Sequence, residues 1–151
     1  MPRRLRPIAL LAALIAVFAF AAPMAQAADA IEAFLHRWED PRQFDARDLD
    51  PAFRAEVSGG GNSMVLDRDQ TIAFNARIRQ ILTGYTLKVF RIVDRQESNG
   101  RIIVTYATAY EMRLRGQPVL VREIATVTLV PGGRNGYRVV AVKSHQENIE
   151  G

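Results

Sequence analysis

VTYATAYEMRL, residues 104–114, holds two tyrosines four positions apart, Tyr106 and Tyr110. An α-helix and a β-strand both put residues i and i+4 on one face. Here nearly every second residue is β-branched, aromatic or apolar, which is the period of a strand turned toward a core. The two tyrosines therefore look into whatever that sheet covers.

The same period runs from Gly84 to the C-terminus and predicts four strands, about 85–95, 101–115, 119–130 and 137–146. Ser98-Asn99-Gly100 favours a type I′ hairpin turn. Arg115-Gly116-Gln117-Pro118 and the run Gly132 to Gly136 mark two more turns. Upstream, Ile31, Phe34, Leu35 and Trp38 form a helical stripe, with Asp29 and Glu32 as a capping box and Asp40-Pro41 as the stop. Asp50-Pro51 predicts a short second helix with Phe53 and Val57 on its apolar edge, ended by a flexible loop from Ser58 to Ser63. A phosphate cradle in that glycine run lacks both a preceding strand and a Gly-Lys-Ser/Thr ending. Phe74, Ile78, Ile81 and Leu82 predict a third helix with Gly84 as its C-terminal cap. Asp67-Arg68-Asp69 at its start is expected to cap it rather than to catalyse. Helices first and an antiparallel meander last make an α+β domain, with helices covering one sheet face.

Turn positions set the strand register. Gly116-Gln117 as a two-residue loop places Tyr110 opposite Glu123, Thr108 opposite Ala125 and Tyr106 opposite Val127. Glu111 then meets Arg122 on the other face, an opposite-charge pair. A two-residue Asn99-Gly100 loop sets Val89 beside Tyr110 and Arg91 beside Thr108. The inner face then carries Leu87, Val89, Val93, Val104, Tyr106, Tyr110, Met112, Val121, Ala125, Val127 and Leu129, interrupted by Arg91 and Glu123. Two readings stay open. Arg91 and Glu123 form an internal bridge with the tyrosine hydroxyls as satisfied core donors. Alternatively, Trp38, Arg91, Tyr106, Tyr110 and Glu123 line a partly apolar cavity for a small ligand. His145 is expected on the outer face and His36 next to the buried stripe on the face of helix one; two histidines, one facing out, point away from a histidine metal site.

The N-terminus speaks to location. MPRRLRP is basic, Ile8 to Ala22 is apolar without a break, and Ala25-Gln26-Ala27 is a small-x-small cleavage pattern. That is the layout of a signal peptide over residues 1–27, followed by a single domain over 28–151. The apolar run falls short of the roughly 20 residues of a bilayer span, which weighs against an uncleaved anchor. Arg3-Arg4 lacks the flanking residues of a twin-arginine signal. The expected location is periplasmic or secreted, without a stable membrane anchor after cleavage near Ala27. Losing Arg3, Arg4 and Arg6 with the leader lowers the formal charge from +4 to +1. The high isoelectric point is then no argument for a nucleic-acid partner, which needs a clustered basic surface. With no cysteine, disulfides, thiolate metal sites and a cysteine nucleophile are excluded.

The order of elements resembles the nuclear transport factor 2-like superfamily, also called SnoaL-like. The resemblance rests on IEAFLHRW (31–38), DLDPAFRAEV (48–57), LDRDQTIAFNARIRQIL (66–82) and RVVAVKSHQE (138–147). It implies helices packed on a strongly curved antiparallel sheet, a cone-shaped, cystatin-like roll. The superfamily includes isomerases, dehydratases, cyclases, hydrolases and binding domains, so fold alone assigns no chemistry. Its catalytic patterns do not carry over. The isomerase tyrosine on helix one is absent, the dehydratase histidine pair is absent, and Asp67-Arg68-Asp69 is contiguous where the epoxide-hydrolase triad comes from separate strands.

Three functions are compatible with these residues. The first is an exported domain binding an unidentified small molecule, without cofactor or metal. The second is a homodimer through the outer sheet face, where Phe90, Ile92, Ile103, Ala107, Ala109, Ile124 and Val139 leave much apolar surface. The third is a lyase or isomerase with Glu123 as base and Tyr110 as hydrogen-bond donor.

Overall fold

The structure, a computed structural model, describes residues 30–149. The leader and the expected Asp29 cap lie outside the described residues. The chain divides between Leu35 and His36 into two compact units. Helix α1 spans 30–39; its first part, in the first unit, buries Ile31, Phe34 and Leu35, the positions of the apolar stripe. Everything else belongs to the second unit.

That unit continues through two 3-10 turns, Pro41–Gln43 and Ala46–Asp48. Asp40 and Asp45 cap them by accepting the N–H of Arg42 and Arg47. Then come β1 (Leu49–Gly59), β2 (Asn62–Asp67), α2 (Arg68–Ile81), β3 (Leu82–Ser98), β4 (Arg101–Leu114), β5 (Gln117–Pro131) and β6 (Tyr137–Ile149). The strands form one six-stranded sheet in the order β2-β1-β6-β5-β4-β3. All neighbours are antiparallel except β1 and β6, which run parallel, so the sheet is mixed rather than antiparallel.

The expected second helix is therefore strand β1, and the expected flexible loop is a hairpin turn at Gly60-Gly61 into β2. Phe53 and Val57 suit a helix at i, i+4, but Ala55 between them completes a strand period, and Leu49, Phe53 and Ala55 are buried. Asp50 does accept the Ala52 N–H at 2.9 Å, the local contact of a helix cap, with no helix after it. Tertiary pairing with β6 overrides that local signal. Helix α2 matches its expectation at the N-terminus, where Asp67 and Gln70 form a capping box. It ends earlier than expected: Leu82 is the cap and Gly84 already pairs in β3. Its half-buried side carries Ile72, Asn75 and Ile78, while Phe74 is exposed.

Register decides which side chains meet. The β4–β5 turn centres on Arg115-Gly116, both at positive φ, because a type I′ turn places glycine second, as at Asn99-Gly100. Tyr110 accordingly faces Val121 and Thr108 faces Glu123, while Glu111 meets Leu120 instead of Arg122. The offset from the expected pairing is two residues, an even step, so no side chain on β4 or β5 changes face. Strand β3 behaves differently. Its pairing with β4 shifts between Ile92 and Asp94, between Leu87 and Val89, and between Leu82 and Gly84. Each bulge adds one residue and reverses the inward set. Val89, Arg91 and Val93 therefore turn outward and exposed, whereas Phe90 and Ile92 turn inward. Another shift near Thr128 brings Val139 inside, fully buried opposite Leu129. Phe90, Ile92 and Val139 thus leave the expected outer set.

The parallel β1–β6 contact brings two backbones close at Gly59. A Cβ there would stand 2.3 Å from the Gln146 carbonyl oxygen. Gly59→Ala is expected to destabilise the protein by about 1–3 kcal/mol, read as a lower denaturation midpoint. Gly84→Ala, whose Cβ meets only the Arg113 side chain at 3.5 Å, serves as the milder comparison.

Candidate functional site

The inner face of β4, β5 and β6 is apolar at one end and polar at the other. Val104, Val127 and Leu129 are fully buried. Further along, Thr108 pairs across to Glu123 and Glu123 to Gln146, with Ser144 next to them opposite Ala125. Strand alternation alone places Tyr106, Thr108 and Tyr110 on this face, and all three are buried. Tyr110 lies 5.6 Å from the Tyr85 ring, and Tyr106 stacks on Phe90 at 5.3 Å.

Helix α1 ends on this face with Glu39. Tyr106 donates its hydroxyl proton to Glu39 Oε1 at 2.5 Å. Gln146 donates to Glu123 Oε2 at 2.5 Å. The Glu39 and Glu123 carboxyls are within hydrogen-bonding reach of each other. Burial, then the neighbouring Glu123 charge, pushes Glu39 well above the usual carboxylate range. Burial also raises Glu123, offset in part by hydrogen bonds, Gln146 first and then Glu39. Two carboxyls in contact and shielded from water resist ionising together, which is why both are raised. Burial, followed by these carboxyls, raises Tyr106 and Tyr110, so both remain neutral phenols. Such a pair offers a hydrogen-bond donor and an acceptor side by side.

Three polar atoms of the region, the hydroxyls of Thr108, Tyr85 and Ser144, have no protein partner. Thr108, 4 % exposed, leaves its Oγ1 without a hydrogen bond, and the Tyr85 hydroxyl is also unpartnered and buried. Buried polar groups are normally paired, so each orphan marks a place for water or a ligand.

The structure brings Tyr106, Tyr110 and Glu123 together as expected from the sequence. Trp38 sits apart, between Phe44 at 6.4 Å and Phe53 at 6.2 Å, in an aromatic core contact. Arg91 is exposed on the opposite face, carried there by the bulges, so the expected Arg91–Glu123 bridge does not form. Glu39 takes the place beside Glu123. Its position was legible, since Ile31, Leu35 and Glu39 fall at i, i+4 and i+8, putting a carboxylate on an apolar stripe. His145 is exposed on the outer face opposite Ile124, where Ser58 Oγ lies 3.0 Å from its Nδ1. Among the described residues, no three histidine, cysteine or carboxylate side chains group as metal ligands.

Open grooves lie at several places on the sheet, two of them along the β1–β2 end and across the outer face. One, about 770 Å³, runs along the β1–β2 end past Ser58, Asn62, Met64 and Gln146. The other, about 380 Å³, crosses the outer face past Val89, Ala109, Ile124 and His145.

No protein-family model matches the chain, and no curated protein sequence does. Solved structures do. A conserved protein from Planctomyces limnophilus superposes with a TM-score of 0.66 at 12% identity, covering 83% of this chain and 99% of that one. An NTF-2 like protein of unknown function from Silicibacter pomeroyi gives 0.54 at 13% identity, over 80% and 96% of the two chains. An NTF2-like protein from Cytophaga hutchinsonii gives 0.53 at 10% identity, over 81% and 96%. Likeness at this identity shows fold alone.

The carboxyl pair sets a pH dependence. A group whose folded pKa is raised stabilises below its unfolded pKa and loses that contribution as pH rises through the folded value. Lowering pH from 8 to 5 should therefore raise the melting temperature by about 2–5 °C. Below that range the trend should reverse, since Arg47 holds Asp45 down to about 2 and its contribution is lost as pH falls. Glu39→Gln, which mimics the protonated carboxyl, should flatten the profile between pH 5 and 8. Calorimetric melts across pH check both expectations.

Proposed function

We propose that this chain, which has the fold of the NTF2-like superfamily, binds a small molecule at the polar end of its inner sheet face. One observation carries the reading: a carboxyl pair, half-buried Glu39 and buried Glu123, lies with hydroxyls of Thr108, Tyr85 and Ser144 that the protein itself leaves unpartnered. Small-ligand sites are built this way, with apolar walls and a few converging polar groups. Tyr85, Phe90, Tyr106 and Tyr110 supply the aromatic wall, and Tyr110 and Glu123 keep the roles expected of them as ligand contacts. Nothing in the arrangement assigns a reaction.

Thr108→Val tests the reading, because valine keeps the shape and removes the orphan hydroxyl. The variant should be more stable than the wild type by about 1 kcal/mol. It should also weaken the small fragments that shift Thr108 and Tyr110 resonances in an NMR screen. A screen whose fragments shift only outer-face residues, or none, would sink the proposal.

A second reading, compatible with the first, is a homodimer through the outer sheet face of an exported protein. Val89, Val93 and Ile124 are 56%, 56% and 58% exposed there, with Ala107 and Ala109 between them. These exposed apolar side chains, interrupted by Arg91 and Arg122, support a partner of the same kind. The basic, apolar, small-x-small leader supports export. Native mass spectrometry of protein recovered from the cell envelope checks both at once. The expected species is a dimer of chains beginning at Ala28, and Ile124→Glu should return it to monomer. A monomeric wild type removes the dimer, and a chain beginning at Met1 removes the export reading.

A further inference from the structure

The outer face carries a separate chemical arrangement where β1 runs parallel to β6. Ser58 pairs with Ser63 of β2 on one side and with His145 of β6 on the other, so the three residues form a row across three strands. Ser58 Oγ lies 3.0 Å from Nδ1 of His145. Glu147, two residues further along β6, places Oε1 3.6 Å from Nε2 of the same ring. The two backbones close in here because Gly59, next to Ser58, has no side chain and leaves room for the Gln146 carbonyl. The Ser58 hydroxyl has one proton and two acceptors in reach, the imidazole at 3.0 Å and the Ser144 carbonyl at 3.3 Å, and the imidazole is the nearer. A carboxylate beside Nε2 favours the tautomer that carries its proton there, which leaves Nδ1 to accept from the serine. Ser58, Gly60, Ser63 and Glu147 all line the groove of about 770 Å³ at the β1–β2 end, so the hydroxyl opens onto space for a small molecule.

Independently of the ligand reading of the inner face, we propose that Ser58, His145 and Glu147 form an acyl-transfer site acting on small esters seated in this groove. A hydroxyl becomes a nucleophile when a base within hydrogen-bond reach takes its proton and a third group orients the base. Ser58 Oγ bonds to the acyl carbon, His145 Nδ1 takes the serine proton, and the C–O bond to the leaving group breaks. His145 passes that proton to the departing oxygen, and an alcohol is released. Water then attacks the acyl-serine with the same imidazole as base, a proton returns to Ser58 Oγ, and a carboxylic acid leaves. Ser63, exposed and directly across from Ser58, offers an O–H to the acyl oxygen as it becomes negative. Glu147 acts through the imidazole and is a positioning residue. The His145 and Glu147 side chains are 57% and 68% exposed. Water screens their electrostatic contribution, so the site suits activated esters with good leaving groups rather than amides.

A fluorophosphonate and p-nitrophenyl acetate are the probes. The first phosphonylates a nucleophilic serine as fluoride leaves, and peptide mass spectrometry reads which serine carries it. Label is expected on Ser58 of the folded protein, and is expected to be absent from heat-unfolded protein and from His145→Gln. Hydrolysis of the ester should fall by about a hundredfold in His145→Gln and to the blank rate in Ser58→Ala. Glu147→Gln should lower kcat and leave KM unchanged. Melting curves like that of the wild type show that these variants are folded. A folded wild type without label on Ser58 overturns the proposal and leaves a surface hydrogen bond between Ser58 and His145. Label that persists on Ser58 in folded His145→Gln also overturns it, because the histidine is then no base. An unchanged kcat in Glu147→Gln removes Glu147 from the site.

Discussion

A carboxyl group placed on a buried face must keep its proton or find a partner, and here Glu39 and Glu123 meet that demand with each other. The arrangement ties the end of α1 to the middle of the sheet, because Tyr106 holds Glu39 from β4 while Gln146 holds Glu123 from β6. Four separate segments of the second unit, α1, β4, β5 and β6, have their relative positions constrained by these few hydrogen bonds. Charge-assisted bonds out of water are strong, and they become costly if one partner is lost. The polar end of the sheet is thereby specified more sharply than apolar packing alone would specify it.

Bulges in β3 decide the rest of that face. A regular strand would present Val89, Arg91 and Val93 inward, with a guanidinium available to Glu123. The one-residue shift between Ile92 and Asp94 instead turns Phe90 and Ile92 inward and expels the arginine, and the shift between Leu87 and Val89 restores the expected face beyond it. Phe90 then stacks on Tyr106 and meets His36 at 4.3 Å, both within the second unit. Turning Arg91 outward takes that guanidinium away from Glu123, so the electrostatics of the site follow from backbone irregularity as much as from composition. The same shifts place Val89 and Val93 on the outer face and enlarge its apolar patch.

The NTF2-like fold explains why such a site can arise where it does. An open sheet offers strands from which side chains converge, and one fold can carry different groups there. In this chain the convergent groups are carboxyls, phenols and hydroxyls, without cysteine, while the inward-facing arginine of β3, Arg95, is held by Glu97.

By itself the sequence determined the fold class, the four C-terminal strands, the cap of α2 and the inward direction of Tyr106, Tyr110 and Glu123. Each of these depends on short-range chemistry: a period of two, an aspartate before a helix, a glycine at positive φ. An error of two residues in the β4–β5 register did no harm, since even steps preserve the face. Tertiary structure decided what local chemistry leaves degenerate. Asp50-Pro51 carries a helix cap's signal, yet pairing with β6 and β2 makes DLDPAFRAEV a strand. Bulges leave no mark in a pattern where both faces of β3 carry apolar residues, so Arg91 could be oriented only by the folded sheet. Glu39 stood on the apolar stripe in plain view. Its partner became visible only once β5 was laid beside the end of α1, because contact between two carboxyls depends on distance through space rather than along the chain.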